Sequence, residues 1–301
     1  MASVGRLITA MVTPFDIQGQ VDYNKARRLA SALLDSGSDG LVVSGTTGES
    51  PTLKLDEKLR LFSEIKSELG DRGSVVAGTG NYSTSESIEL TQEAERLGVD
   101  AALLVVPYYN KPTQEGLFQH FKAIAESTSL PCILYNVPSR TITSLSSETV
   151  IKLSAIDNII GIKEASGDFD QIGRILYGAP DGFRIWSGND NDTFGLLSMG
   201  GYGVISVASH LVGNQIRNMM DLLLDGQLAD SSREHLRMLA IFKGLFIISN
   251  PIPVKYCLNY VGFDVGKPRL PLVEPDDVSA SQLKDLLKNY TIDLPIGAVH
   301  S

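Results

Sequence analysis

Cysteine is scarce. Cys132 and Cys257 are the only two in 301 residues, too few to staple a secreted disulfide scaffold. Cys132 lies in the apolar run Pro131-Cys-Ile-Leu-Tyr135, where a buried reduced thiol is expected. Positive charge is also in short supply: 26 Lys and Arg stand against 35 Asp and Glu, a formal net charge of −9. Phosphate backbones and anionic lipid require a dense cationic face. Nucleic acid and membrane surfaces are therefore not expected as partners, although a local basic pocket for a small acid is allowed. No apolar run approaches the ~18 residues of a spanning helix, and the opening Met-Ala-Ser-Val-Gly-Arg has no apolar stretch behind a basic start. A cytoplasmic protein is expected. The four histidines, His120, His210, His235 and His300, are scattered and do not pair with acids at metal-ligand spacing. No G-x-S-x-G elbow exists to support a serine hydrolase.

What is present is a rhythm. Hydrophobic residues make up 43% of the chain and charged residues 20%, with mean hydropathy +0.04, enough to bury a large core. Short β-rich apolar runs recur at Leu7–Val12, Gly40–Ser44, Ser74–Gly78, Ala101–Pro107, Cys132–Val137, Ile159–Glu164, Phe183–Ser187 and Val204–Ala208. Helical patterns separate them: Asp22–Ser36, Asp56–Leu69, Ser85–Leu97, Thr113–Thr128, Ser146–Leu153, Phe169–Tyr177, Asp192–Met199 and Asn214–Leu224. Ser146 ahead of Glu148 reads as a helix cap, and Leu97-Gly98 as a helix stop.

Strict strand–helix alternation predicts a parallel sheet with both faces covered. Eight such units are the number that closes a (β/α)8 TIM barrel. The rival, an open doubly wound sheet, would carry a glycine-rich turn after its first strand, yet Thr9–Asp16 has no glycine. Beyond Leu224 the rhythm stops. Ala229–Ser249, Pro253–Val261 and Asp276–Asn289 read as helices, so residues 1–225 are expected to form the catalytic barrel and 226–301 a helical extension packed on it.

In such a barrel the chemistry sits where the strands end. The second strand runs into Ser44-Gly-Thr-Thr-Gly-Glu49. That loop offers backbone donors and two hydroxyls to a small anion, or is simply a polar turn. The sixth strand, Ile159-Ile-Gly-Ile-Lys163-Glu164, sets a lysine in an apolar run. A lysine pointing into a barrel is desolvated, which favours the neutral amine that Schiff-base chemistry needs. The alternative is a Lys163 that lies past the last paired residue, solvated or bridged to Glu164. The fifth strand ends Tyr135-Asn-Val-Pro-Ser-Arg140. Inward residues at similar height on neighbouring strands meet at about 4.8 Å strand spacing, so a phenol beside Lys163 can move protons, and Arg140 above it offers a fork for a carboxylate. A core tyrosine and a surface arginine are the plainer readings of each alone. Paired Tyr108 and Tyr109 on the next loop read equally as cover for an interface.

These motifs, with Pro107-Tyr-Tyr-Asn-Lys-Pro-Thr113, Gly161-Ile-Lys-Glu-Ala-Ser-Gly-Asp168 and Ser187-Gly-Asn-Asp190, resemble those of the 4-hydroxy-tetrahydrodipicolinate (dihydrodipicolinate) synthase family of pyruvate-dependent class I aldolases, from Gly5 to about Asn289. The resemblance implies condensation of pyruvate with aspartate semialdehyde, an early step towards lysine by the diaminopimelate route, with no metal and no bound organic cofactor. It implies that Lys163 forms an imine with pyruvate, that Thr46 and Thr47 hold its carboxylate with help from the Ile205 region, and that Tyr135 donates and accepts protons. It further implies a relay of Tyr135, Thr47 and a Tyr109 donated across a dimer, a second carboxylate bound at Arg140, Gly188 in the pocket lining, and a homotetramer built as a dimer of dimers. Lysine-sensitive members bind the end product near the segments that here read Ser50–Lys58 and Asn81–Glu86, with polar groups where this chain has Leu55 and Lys58; weak or absent inhibition by lysine is expected. The alternatives are a sister lyase acting on N-acetylneuraminate or keto-deoxy sugar acids, and a barrel without catalysis.

Overall fold

The computed structural model describes residues 4–295. Within them β1 (Leu7–Ala10), β2 (Gly40–Val43), β3 (Ser74–Gly78), β4 (Ala101–Val105), β5 (Cys132–Asn136), β6 (Ile159–Glu164), β7 (Arg184–Ser187) and β8 (Gly203–Ser206) pair in sequence order as a closed parallel barrel. Ile205 of β8 lies beside Ile8 of β1 and completes the ring. This is the expected TIM barrel with a C-terminal helical part.

Each strand is buried on both faces, and the two-residue period sorts its side chains. Ile8, Val42, Val76, Leu103, Ile133, Tyr135, Trp186 and Ile205 share one interior cluster. Their neighbours Leu7, Leu41, Val75, Leu104, Leu134 and Ile162 point outward to the helices. Gly161 makes room inside: a Cβ there would lie 2.7 Å from the Trp186 ring and 2.2 Å from the Arg184 carbonyl. The indole consequently fits against β6, two residues before Lys163, with its Nε1 donating to the Gly5 carbonyl at 2.9 Å.

The barrel helices are α1 (Tyr23–Asp35), α2 (Leu55–Leu69), α3 (Thr84–Arg96), α4 (Gln114–Glu126), α5 (Pro138–Thr141), α6 (Ser147–Leu153), α7 (Phe169–Gly178), α8 (Thr193–Ser198) and α9 (Ser209–Leu224). The extension adds α10 (Leu228–Gly244), α11 (Ile252–Tyr260) and α12 (Asp277–Leu287). Asp22, Ser83, Thr113, Ser146, Asp168 and Asp276 cap their helices by accepting from a backbone N–H in the first turn. Gly98, at φ +76, ends α3 as its position predicted. On α2 the buried stripe is Leu61, Phe62, Ile65 and Leu69, each side chain contributing about 2 kcal/mol by leaving water.

Three elements depart from the sequence reading. The helix expected over Ala229–Ser249 ends at Gly244, where turns take over. The helix after β8 starts at Ser209 rather than Asn214, because the Ser206 hydroxyl accepts from Ser209 N at 2.9 Å and caps an earlier turn. That turn is interrupted at Val212 (φ −129, ψ 39), where Gly213 approaches the Ser36 carbonyl so closely that a Cβ would stand 2.3 Å from it. Pro138 starts the single turn α5, which periodicity over so few residues did not reveal. Both cysteines are free and buried, and burial pushes each thiol up to about 12. Among the described residues no helix is long and apolar enough to cross a membrane.

Candidate active site

The C-terminal ends of β2, β3, β4 and β5 open into a cavity of about 380 Å³, whose wall includes Thr46, Lys58, Glu86, Tyr108, Tyr135 and Arg140. Backbone strain gathers on the same side. The described non-glycine residues with positive φ are Ser44, Glu49, Tyr109, Lys111 and Ile142, all on loops that follow β2, β4 or β5. Such conformations persist where surrounding contacts enforce them, and they concentrate at functional sites.

Lys163 and Tyr135 are direct partners in the β5–β6 ladder. Both are almost fully buried, at 5% and 6% exposure. Lys163 Nζ lies 4.4 Å from the centre of the Tyr135 ring, so the amine rests on an aromatic face that also forms part of the cavity wall. The pairing of Lys163 with Glu164, left open by the sequence, does not occur. Consecutive strand residues point to opposite faces, and the Glu164 carboxylate accepts from Asn136 Nδ2 (3.1 and 3.0 Å), Gln171 Nε2 (3.1 Å) and Ser166 N (2.8 Å). Burial nevertheless raises the Glu164 carboxyl above its ordinary range. These bonds tie β5 to β6 one residue beyond the Tyr135–Lys163 pair and hold the two in register.

The Thr46-Thr47 turn splits its hydroxyls. Thr46 faces the cavity, whereas Thr47 is 3% exposed and its Oγ1 accepts from Asn250 Nδ2 at 2.8 Å. Arg140, exposed at the rim on α5, reaches the Asn250 carbonyl with Nη2 at 3.4 Å. Gly188 donates its N–H to the Glu164 carbonyl at 2.7 Å, and a Cβ on it would stand 2.6 Å from that of Ala165. Ile205 belongs to the interior cluster with Tyr135 and Trp186. Tyr109 is not brought to the site within one chain: it is 95% exposed, at φ +73, while its neighbour Tyr108 turns inward and meets Tyr82 edge to face at 5.2 Å. Burial raises the Tyr108 phenol.

Two contributors escaped the sequence reading. Asn250, from the extension, touches both the Thr47 hydroxyl and the Arg140 guanidinium, and nothing local to its sequence announces this. Asp190 stood in a recognised motif without a role. Its carboxylate is 3% exposed and accepts from Ser206 Oγ (2.5 Å), Val207 N (3.1 Å) and Ala208 N (3.0 Å), fixing the end of β8. Burial raises this acid, opposed by those three donors and by the charge of Lys163. His300 lies outside the described residues. Among the described residues no group of three or more His, Cys, Asp or Glu side chains converges as a metal ligand set.

Residues 3–290 match the model of the dihydrodipicolinate synthetase family. A 4-hydroxy-tetrahydrodipicolinate synthase of Dehalococcoides mccartyi (strain CBDB1) is 60% identical over 98% of this chain and 100% of the relative. A solved dihydrodipicolinate synthase, DapA-2, of Bacillus anthracis superposes with TM-score 0.94 at 44% identity, covering 96% of this chain and 99% of that one. A structure from Cyanidioschyzon merolae, solved with lysine bound, gives 0.93 at 44% identity over 95% and 97%.

Proposed function

Because the chain belongs to the dihydrodipicolinate synthetase family, we propose that it is a lyase that condenses pyruvate with L-aspartate 4-semialdehyde to 4-hydroxy-tetrahydrodipicolinate, in lysine biosynthesis, through an imine on Lys163. The observation that carries the residue-level reading is the buried amine of Lys163 lying on the Tyr135 ring.

Lys163 Nζ adds to the keto carbon of pyruvate, and loss of water gives an iminium, an electron sink that lets the methyl group lose a proton and become an enamine. The enamine carbon attacks the aldehyde. The amino group of the semialdehyde then adds to the iminium carbon and displaces Lys163, closing the ring. In this reading Tyr135, whose ring lies under the amine, carries the protons to and from nitrogen. Arg140, at the mouth, suits the carboxylate of the second substrate.

Thr46 and Thr47 hold the pyruvate carboxylate in this reading, Gly188 and Ile205 lie at its other side, and the relay hydroxyl moves from Thr47 to Thr46. Thr46 shares the cavity wall with Tyr135, whereas Thr47 faces Asn250. Since Asn250 donates to Thr47 Oγ1, the single Thr47 O–H is left to donate to a carboxylate. Tyr109 enters the relay from a second copy of the chain, its exposure and left-handed backbone fitting a side chain delivered outward. A homotetramer built as a dimer of such dimers, and a cytoplasmic location, complete the reading; two buried free thiols suit a reducing compartment.

The test is a coupled assay with pyruvate and aspartate semialdehyde, run beside N-acetylneuraminate. Turnover of the semialdehyde pair alone is expected. Cleavage of N-acetylneuraminate at a comparable kcat/KM would move the chain to the sister lyases, and no borohydride-trapped pyruvate on Lys163 would sink every aldolase reading.

A further inference from the structure

The Thr46-Thr47 turn is gripped from behind by the C-terminal part of the chain, through α11 and the segment that follows it. Lys255, on α11, is 1% exposed, and its Nζ donates to Glu49 Oε1 at 2.9 Å, to the Thr13 carbonyl at 3.0 Å and to the Lys267 carbonyl at 3.1 Å. The Phe15 ring centre lies 4.2 Å away. The second Glu49 oxygen, Oε2, accepts from Arg269 N at 2.8 Å. Every ammonium proton thus has an acceptor, and both carboxylate oxygens have a donor.

Glu49 itself is 3% exposed and sits at φ 57, ψ 35, a left-handed conformation that costs a non-glycine residue free energy. Its N–H donates to the Thr46 carbonyl at 3.1 Å, and Ser50 N to the Gly45 carbonyl at 3.2 Å. Thr13 Oγ1 closes on the Gly48 carbonyl at 2.6 Å. The anchored carboxylate therefore fixes the backbone that shapes the Thr46–Glu49 turn. Arg269 extends the grip, donating to the Thr52 carbonyl at 2.9 Å and to both oxygens of Glu57 at 2.8 and 2.6 Å.

A buried ion pair is weak evidence of stability, since well-packed apolar groups of the same shape hold a fold as well or better. What the pair adds is direction: it pins one loop residue at both oxygens. We infer that Lys255 is a positioning residue for the reaction, acting through Glu49 to hold the Thr46-Thr47 turn in the shape that receives the substrate carboxylate. The inference rests on the reading that this turn binds pyruvate.

Borohydride trapping of Lys163 across a pyruvate titration, read by mass spectrometry, tests it. Glu49→Gln combined with Lys255→Met replaces the pair by neutral groups of similar shape, and this double variant is expected to fold. Half-saturating pyruvate should rise about tenfold or more, while trapping at saturation still reaches the wild-type level. Lys255→Arg, which keeps the charge and the donors, should recover part of the shift. Leu283→Ala, in the apolar packing of α12, should lower the melting temperature without moving half-saturation. A double variant within twofold of wild type overturns the inference, and so does an equal rise in Leu283→Ala. Should the double variant not fold, Glu49→Gln alone is read in the same way. Failure of wild type to be trapped would instead strike the reading of function.

Discussion

Tyr135 and Lys163 are paired across two adjacent strands, with the lysine amine 4.4 Å from the centre of the tyrosine ring. Tyr135 also packs in the interior cluster, whereas the Lys163 amine lies on its ring, so the lysine head is the part that can be altered without dismantling the barrel. Lys163→Ala should abolish borohydride trapping of pyruvate and lower kcat by about 10³-fold or more, since the covalent route disappears. The fold should survive, because losing a buried amine removes a desolvation cost along with some packing. Circular dichroism together with trapping checks this; an adduct at wild-type stoichiometry would exclude Lys163 as the nucleophile.

The exposed Tyr109 gives the second prediction. Tyr109→Phe should cut turnover by about 10–100-fold if its hydroxyl completes a proton relay, with secondary structure unchanged. Under subunit exchange, mixing it with an inactive Tyr135→Phe chain should restore part of the activity, because one of the two sites in each mixed dimer then regains both phenols. Proven mixed dimers with no rescue would place the relay within a single chain.

The barrel was legible because its signals are local. Continuous apolar runs, the capping residue Ser146 and the stop at Gly98 each act within a few residues of chain. The Tyr135–Lys163 pair was legible for a related reason: both stand on neighbouring strands near their carboxyl ends, so register alone brings them together. What stayed hidden acts at long range. Asn250 meets Thr47 across 203 residues and Lys255 meets Glu49 across 206. In sequence Lys255 reads as one charge in a short apolar helix, and only tertiary packing reveals that it is buried. The resemblance put the relay hydroxyl on Thr47 by motif position, whereas the Asn250 contact to Thr47 Oγ1 has no sequence signature.

Three buried histidines, His120, His210 and His235, are lowered by burial and contribute to the acid limb of stability. Burial lowers both His120 and His210 from 6.5 to about 4. His210 is held neutral by its surroundings, its Nε2 accepting from Val12 N at 3.2 Å while Nδ1 faces the Val207 carbonyl at 2.8 Å. The unfolded chain binds these protons below pH 6.5 and the folded chain does not. Their contribution is therefore complete above pH 6.5 and is lost as pH falls towards 4, at up to about 1.4 kcal/mol per pH unit for each histidine. Glu164 and Asp190, whose carboxyls are raised by burial, act in the opposite sense over part of this range. Urea unfolding of wild type and His210→Gln between pH 7 and 4.5 isolates the histidine. The variant should lose less stability on acidification, and parallel profiles would refute the assignment.

Lys58 bears on inhibition by lysine. It shares the cavity wall with Asn81, Glu86 and Tyr108, whereas Leu55 is 59% exposed at the start of α2 and does not contribute to that wall. Burial lowers the Lys58 amine from its ordinary range, and the charge of Glu86 draws it back up. Glu86 thus already has a cation tethered near it. A free lysine entering this cavity would bring two ammonium groups towards a resident one, and like charges ~6 Å apart at an effective dielectric near 20 repel by roughly 3 kcal/mol before screening. That is on the order of a hundredfold in affinity. Weak or absent inhibition at millimolar lysine is expected, together with a gain in sensitivity for Lys58→His, whose side chain is largely neutral at pH 8. Initial rates across a lysine titration decide it: half-inhibition of the wild-type protein well below one millimolar would show that the tethered ammonium does not keep the ligand out.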